Sequence, residues 1–333
     1  MASVERPIRR GLVLGGGGVL GGAWAVGALA ALKAVHGFEP RDAEIIVGTS
    51  AGSVLAALLG AGATVEELAA QERGDKVLTG PIAGFSWDIQ AVTGGSRPGR
   101  PKLEPGSRAL MRTGLNRFRM RRMPPTAFLS AFLPTGSKTL DRVAHLVEGF
   151  TPIGEWSPHP NLWIVTMDYA TGTRVVFGQP TAPEAPLSLA VQASCSIPAW
   201  YSPVEIGGRR YVDGGAWSAT SVDLLAGMGL DEVYVIAPMV SFHMDRPDHL
   251  LARLERTWRV QVTKRCLNEV EKVRAGGTDV TVLGPGAEDL AAIGGNLMDF
   301  EKRIHVLETS IRTSIEALRD PDHLGPDHLA SVG

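Results

Sequence analysis

The stretch Glu44-Ile45-Ile46-Val47-Gly48-Thr49-Ser50-Ala51-Gly52 joins an apolar run to the helix-forming run Val54-Leu55-Ala56-Ala57-Leu58-Leu59. The pattern predicts a strand, a tight turn and a helix, with Ser50 at the corner. Small residues at Gly48 and Gly52 let the chain turn sharply and let a substrate approach the hydroxyl at the positive end of the helix. A serine that merely caps a helix gives the same local pattern, so the rest of the sequence must decide.

A glycine-rich segment, Gly15-Gly16-Gly17-Gly18-Val19-Leu20-Gly21-Gly22, lies between a predicted strand and a predicted helix. Its Gly16, Gly18 and Gly21 fit the G-x-G-x-x-G spacing of a dinucleotide-binding turn. Such a site needs an acidic residue at the end of the second strand to hold the ribose, and that strand instead ends in Ser50. A nucleotide-binding oxidoreductase is therefore disfavoured. Backbone N–H groups in a glycine loop can instead stabilise an oxyanion.

The segment Tyr211-Val212-Asp213-Gly214-Gly215 places a carboxylate at the predicted end of a strand. The glycines allow close approach to another backbone, although a surface turn has the same composition. Asp168 is the leading alternative carboxylate, and we expect it to cap a turn between two strands. A Ser-His-Asp triad in α/β-hydrolase order would need a histidine after the acid. Five are available by position, none at an obvious strand end: His243, His249, His305, His323 and His328.

The composition limits the class of protein and its compartment. The chain has 333 residues with 44% hydrophobic and 20% charged residues, so it can bury a sizeable core, and its net charge of -2 gives no indication of nucleic-acid binding. Two cysteines cannot form a disulfide framework, which favours a reducing compartment. Arg9-Arg10 and the apolar stretch to Leu32 mimic a signal peptide, but glycines interrupt the stretch. The sequence predicts a cytoplasmic protein, with export the less favoured alternative.

Alternating strand and helix patterns predict an α/β fold with a mainly parallel, helix-covered sheet. Along the chain we expect a loop over Gly15–Gly22, a hairpin turn at Gly207-Gly208 and a helix over Ser221–Met228. We expect a core over residues 8–240, an insertion or cap over about 75–138, and a mainly helical part over 241–333. The insertion mixes basic and apolar residues. Phe118, Met120 and Met123 could contact a membrane beside the charges of Arg119, Arg121 and Arg122, whereas a solvated basic face over a satellite core explains the pattern equally well.

Taken in order, the glycine loop, the serine corner and the Asp-Gly-Gly segment resemble the patatin-like phospholipases over most of residues 11–237. The segment Ala193-Ser194-Cys195-Ser196-Ile197-Pro198, which leads towards Asp213, adds to the resemblance. The resemblance implies a three-layer patatin-like fold and hydrolysis of lipid acyl esters by a Ser–Asp dyad, without a catalytic histidine, metal or cofactor. Carried over to this chain, it makes Ser50 the nucleophile and Asp213 the base.

The same resemblance assigns the glycines. It implies an oxyanion hole formed by Gly16, Gly17, Gly18 and Gly21. It also implies supporting roles in the two motifs for the following residues: Gly48, Gly52, Gly214 and Gly215.

The chain departs from the family at two places. Leu20 stands where family members usually carry Arg or Lys. The Asn and Pro expected after Asp213-Gly214-Gly215 are replaced by a stretch with Ser218 and Thr220. Leu20 is the main support for an alternative hypothesis, a catalytically weak lipid-binding or regulatory protein that keeps the fold.

Overall fold

The computed structural model describes residues 6–84, 92–93, 95, 97, 99–100, 102, 104–114, 120, 123–243 and 250–320. Apolar, β-branched runs such as Val233–Ile236 form its strands. The strands are β1 (Arg10–Leu14), β2 (Ile45–Thr49), β3 (Leu162–Asp168), β4 (Arg174–Phe177), β5 (Val204–Ile206), β6 (Arg209–Asp213), β7 (Glu232–Ile236) and β8 (Asp279–Leu283).

The α-helices in the described residues are α1 (Gly18–His36), α2 (Ala51–Gly60), α3 (Val65–Arg73), α4 (Arg108–Gly114), α5 (Pro125–Ser130), α6 (Asp141–Glu148), α7 (Leu187–Ser194), α8 (Leu250–Arg274), α9 (Ala287–Ile293) and α10 (Arg303–Arg319). Helix α3 begins with a capping box in which Thr64 Oγ1 accepts from Glu67 N and Glu67 Oε2 accepts from Thr64 N. The cap satisfies two N–H groups that the helix itself leaves free.

The strands form one mixed sheet in the order β5-β6-β3-β2-β1-β7-β8, with β4 also paired to β3. Neighbours from β3 to β8 along this order are parallel, whereas β4, β5 and β6 pair in antiparallel fashion. The turn between β5 and β6 is Gly207-Gly208, both with positive φ (58° and 73°), as the predicted hairpin requires. The parallel centre brings the carboxyl ends of β1 and β2 to one edge of the sheet.

Helices cover both faces of the sheet. On one face α1, α2, α3, α7 and α10 pack with Leu12, Leu14 and Ile46 into the larger core. On the other face α8 packs with Val13, Val47 and Val235. This three-layer, mainly parallel arrangement confirms the predicted fold class. The part after residue 240 is mainly helical and also supplies β8 to the same sheet.

The insertion, in its described residues, contains α4 and α5 rather than sheet. Leu110 and Ala127 from these helices pack against Met167, Tyr169 and Val212 in a small separate core. Of the residues proposed for membrane contact, Met120 and Met123 are described. The others lie outside the described residues: Phe118, Arg119, Arg121 and Arg122.

Two local expectations were wrong. The segment Gly15–Gly22 was expected to be a loop throughout, but α1 begins at Gly18, where φ is +64°. A helix was expected over Ser221–Met228, but only a 3-10 turn, Val222–Leu225, forms there. Gly227 and Gly229 take positive φ just beyond it, which an α-helix does not accommodate.

Helix α1 is the one described helix long and apolar enough to cross a membrane by length and composition. Most of it is buried, and Ser310 of α10 donates a hydrogen bond to the Trp24 carbonyl at 2.7 Å. It therefore packs in this structure as a core helix. The same interior position accounts for its apolar sequence near the N-terminus.

Candidate active site

Ser50 occupies a sharp turn between β2 and α2. Its φ and ψ are 54° and −126°, outside the helical region, although it has a side chain. Such a conformation is unfavourable by about 1–3 kcal/mol and persists only where the surroundings enforce it. Gly52 is part of that enforcement, because a Cβ atom there would overlap the carbonyl of Leu14 on β1. The corner therefore depends on a close approach of α2 to the sheet.

Ser194, at the end of α7, holds the corner from the side. Its Oγ accepts a hydrogen bond from Ser50 N at 2.9 Å and donates to the Val165 carbonyl of β3 at 2.7 Å. The side chain is fully buried. Sequence reasoning assigned no role to Ser194, although it lies in the segment that carries part of the family resemblance. A hydroxyl at the end of a mostly apolar helix was the available signal.

Asp213 ends β6 and is 4% exposed. Its Oδ1 accepts from Gly215 N at 2.7 Å, and its own N–H donates to the Ser196 carbonyl at 3.0 Å. Burial raises the pKa of the carboxyl from 3.8 to about 6, although hydrogen bonds from the Ser50 hydroxyl and from Gly215 N–H act in the opposite direction. The structure thus brings Ser50 and Asp213 together, with an acid that is a better base than an ordinary aspartate.

The glycine loop supplies fewer N–H donors than the motif suggests. Gly16 N donates to the Ala219 carbonyl at 2.9 Å, and Gly21 N donates to the Gly17 carbonyl at 3.0 Å within α1. Both groups are therefore engaged, which corrects their expected place in the oxyanion hole. In the residues that the structure describes, no hydrogen bond engages the N–H groups of Gly17 and Gly18, which sit at the positive end of α1.

Several segments hold this loop although Leu20 replaces the family's basic residue. Leu20 is buried, and its N–H donates to the Leu297 carbonyl at 2.9 Å. Pro238 packs so closely that a Cβ atom on Gly17 would lie 2.7 Å from its Cβ. The fully buried Arg259 of α8 donates from Nη1 to the Pro238 carbonyl at 2.6 Å. A cation thus supports the loop from behind, through Pro238.

The stretch that replaces the expected Asn and Pro is also held internally. Ser218 Oγ accepts from Thr220 N and Ser221 N, and Thr220 Oγ1 donates to Glu269 at 3.0 Å. Glu269 is buried on α8 and also accepts from Val222 N. These bonds fix the carbonyl of the intervening Ala219, which is the acceptor for the glycine loop.

Two cavities meet at Ser50. One, of about 90 Å³, is lined mainly by apolar side chains, among them Val54, Leu55 and Val143. The other is a more open groove of about 350 Å³, lined by residues including Asp213 and Trp258. An ester carbonyl at Ser50 would have an apolar chamber on one side and an open groove on the other.

Other chemistry-bearing side chains near the site have different roles. Cys195 lines the apolar cavity, but burial and the charge of Asp213 raise the pKa of its thiol to about 12, so it stays protonated. Asp168, the alternative carboxylate, caps a turn as expected, accepting from Ala170 N and Thr171 N. Its other oxygen accepts from Arg209 at 3.0 Å.

No histidine is among the described residues that line either cavity. His243 lines a separate cavity formed with the segment that follows β8, and His305 lies on α10. The other three histidines considered from the sequence lie outside the described residues: His249, His323 and His328. Within the described ranges, no group of three or more metal-ligating side chains is found.

The comparisons with known proteins bear on this arrangement. The family model for patatin-like phospholipases matches residues 12–226, which span the glycine loop, the Ser50 corner and Asp213. The chain belongs to the patatin-like phospholipase family. Membership of the family supports lipid hydrolase activity and lipid ester substrates. A comparison with curated proteins gave no significant match.

Two solved structures align with this patatin-like chain over most of its length. VipD from Legionella pneumophila aligns over 94% of this chain and 67% of its own, with 13% identity and a TM-score of 0.45. The type III effector protein ExoU aligns over 94% of this chain and 53% of its own, with 16% identity and a TM-score of 0.33. The chain thus spans about two thirds of VipD and about half of ExoU.

The match to the patatin-like family ends before α8 begins. Arg259 and Glu269, which brace the two loops of the site, therefore lie outside the matched part. The family motifs carry Ser50 and Asp213, while much of their bracing comes from the part of the chain that follows.

Proposed function

We propose that this chain hydrolyses carboxylic esters of lipids through an acyl-enzyme, with Ser50 as the nucleophile and Asp213 as its general base. The supporting observation is the buried Asp213 carboxyl, whose pKa is raised to about 6 and which lines the same groove as Ser50, a serine at a strained corner. A base with a pKa near neutral accepts a proton more readily than an ordinary aspartate and is still mostly ionised at pH 7.

In the proposed reaction, Ser50 Oγ bonds to the ester carbonyl carbon while its proton passes to Asp213. The oxyanion is stabilised by the N–H groups of Gly17 and Gly18, each donor of this kind being worth about 3–4 kcal/mol in the transition state. Asp213 returns the proton to the departing alcohol as the ester bond breaks. Water then attacks the acyl-enzyme, with Asp213 again taking the proton and passing it to Ser50. These steps use no metal or cofactor.

The experiment combines covalent labelling with turnover. A fluorophosphonate probe and a series of short-chain aryl esters are applied to the wild-type chain, Ser50→Ala and Asp213→Asn, with His243→Ala as the control. We expect Ser50→Ala to abolish labelling and turnover, Asp213→Asn to lower both by at least about a hundredfold, and His243→Ala to change neither. Activity that survives in Ser50→Ala, or disappears in His243→Ala, would contradict the dyad.

A second candidate, a lipid-binding protein with little catalysis, has Leu20 as its support. The same experiment separates the two. Binding of lipid without labelling or turnover by the folded wild-type chain favours the second candidate. The raised pKa of Asp213 and the bracing of the glycine loop favour the first.

We also propose that the chain is cytoplasmic and contacts membranes peripherally near the open groove. Leu133 lines the groove, and the neighbouring Leu129 and Phe132 are 61% and 51% exposed. Arg108 and Arg112, on the adjoining α4, are exposed as well. Apolar and basic side chains side by side suit the interface of an anionic bilayer.

A further inference from the structure

Among the described residues that line the apolar cavity beside Ser50, one carries a carboxyl group that the proposed reaction does not use. Glu72, in the last turn of α3, lines the same cavity as Ser50 and is only 5% exposed. Its Oε2 is buried without a hydrogen-bond partner in the part of the chain that the structure describes. Buried carboxyl oxygens are normally hydrogen-bonded, so this one requires an explanation.

The surroundings disfavour a charge at Glu72. Burial raises the pKa of its carboxyl to about 7, and the nearby Arg303 offsets this only in part. Arg303 uses its Nε to donate to the backbone carbonyl of Glu72 at 3.0 Å, and its Nη1 donates to the Phe300 carbonyl. The position of the helix end is therefore fixed by backbone contacts, and Oε2 of the carboxyl makes no hydrogen bond to any described residue.

A leucine at this position would fit the rest of the cavity better. The other side chains that line the cavity include Val54, Leu55 and Leu146, whose burial is favourable without any polar partner. A buried acid among these side chains destabilises the protein when the cavity holds no ligand. A ligand that donates a hydrogen bond to the carboxyl removes this penalty, so the residue is suited to a bound state.

The chemistry of the cavity restricts that donor. Methylene groups fill an apolar chamber well, and a plain alkyl chain would leave the Glu72 carboxyl unpaired. An ammonium group on the chain would face the nearby positive charge of Arg303. A hydroxyl group avoids both conflicts, because it is neutral and donates one hydrogen bond.

We propose that Glu72 makes the cavity selective for acyl chains that carry a hydroxyl group, whose O–H donates to the Glu72 carboxyl while the acyl carbonyl lies at Ser50. This inference rests on the proposed function, because it takes the cavity beside Ser50 as the acyl site. It deepens that function by naming the class of acyl group.

Binding is the test that does not depend on catalysis. Ser50→Ala chains are titrated by calorimetry with methyl esters of hydroxylated and plain straight-chain acids of equal carbon number, from four to ten carbons. We expect the hydroxylated ester to bind at least about fivefold more tightly at one or more chain lengths. Adding Glu72→Leu is expected to remove or reverse this preference, whereas Glu72→Gln, which keeps an acceptor, retains part of it.

Glu66→Gln provides the matched control, because Glu66 is exposed on the same helix and pairs with Lys33 at the surface. The preference of the Glu66→Gln variant for the hydroxylated ester is expected to equal that of the parent chain. Thermal unfolding establishes that each variant is folded, and Glu72→Leu is expected to be at least as stable as the parent. Equal binding of hydroxylated and plain esters at every length, or a preference unchanged by Glu72→Leu, overturns the proposal.

Aryl esters of the same acids give the catalytic counterpart in chains that retain Ser50. We expect Glu72→Leu to lower kcat/KM for the hydroxylated ester and to raise it for the plain one. A chain that binds hydroxylated esters selectively but neither turns over esters nor reacts with a fluorophosphonate refutes the hydrolase while supporting the pocket. Equal turnover of the hydroxylated and the plain ester supports the hydrolase and refutes the hydroxyl-selective pocket.

Discussion

Activity is expected to fall as the pH is lowered through the titration of Asp213. Its pKa is raised to about 6, so about nine tenths of the carboxyl is ionised at pH 7 and about one tenth at pH 5. Because only the ionised form accepts the proton of Ser50, kcat/KM for an aryl ester should fall about tenfold between these pH values. An aspartate at its ordinary pKa would lose less than about a tenth of its activity over the same range.

The measurement is a profile of kcat/KM from pH 4.5 to 8, with fluorophosphonate labelling rates measured in parallel. Circular dichroism at each pH establishes that the chain stays folded. A profile that is flat from pH 5 to 7, in a chain that remains folded, would refute the assignment of a raised pKa to the base. A midpoint that persists in Asp213→Asn would show that another group controls the rate.

The same pKa has a consequence for stability, with a defined sign. The folded-state pKa of Asp213 lies above its unfolded value, so ionisation disfavours the folded state once the pH exceeds the unfolded pKa of about 3.9. The penalty is absent below that value and complete above about pH 6. Asp213→Asn is therefore expected to raise the free energy of unfolding by up to about 3 kcal/mol at pH 7.5 and to leave it nearly unchanged at pH 3.5.

Three further outcomes are expected. Ser194→Ala leaves the N–H of the nucleophile unpaired, so denaturant unfolding should show a loss of about 1–3 kcal/mol, with kcat lowered. Arg259→Met removes the buried support behind the glycine loop, and we expect kcat in the aryl-ester assay to fall about tenfold or more, with a smaller change in KM. The pair Leu129→Ser and Phe132→Ser removes exposed apolar contacts near the groove. Binding to anionic vesicles in a sedimentation assay should weaken, while turnover of a soluble ester stays unchanged.

Matched variants control these three measurements. Ser188→Ala changes another buried serine of α7, and Lys264→Met changes an exposed cation of α8. Ile153→Ser removes an exposed apolar side chain that lines neither cavity. An effect of similar size in a control would mean that the role assigned to the corresponding residue is wrong.

Local patterns made much of the fold and the core of the site predictable. The change from an apolar strand to a helix at Ser50, and the two glycines between β5 and β6, are properties of short segments. The order of the motifs then indicated the family, which the match over residues 12–226 confirms. Ser50 and Asp213 came from the same motifs, and their catalytic roles stay predictions.

The remaining features depend on contacts between distant parts of the chain. Ser194 meets Ser50 across 144 positions, and the carbonyl that engages Gly16 N–H belongs to a loop that follows Asp213. No short sequence pattern predicts that Arg259 of α8 lies behind the glycine loop. The burial of Glu72 was equally unpredictable from the sequence, because an amphipathic helix such as α3 gives no indication that its last acidic residue faces a cavity.

The hydrogen bond from Gly16 N–H to the Ala219 carbonyl joins the loop before α1 to the loop after Asp213. Together with the bond from Gly15 N–H to Ile236 on β7, it makes these loops part of the sheet's hydrogen-bond network. Amide hydrogen exchange of Gly15, Gly16 and Ser50 is therefore expected to require the same opening as exchange from the central strands. The nucleophile and its base then belong to one cooperative unit. We therefore expect a substrate to reach them past the rim of the groove, without breaking the hydrogen bonds that join the two loops to the sheet.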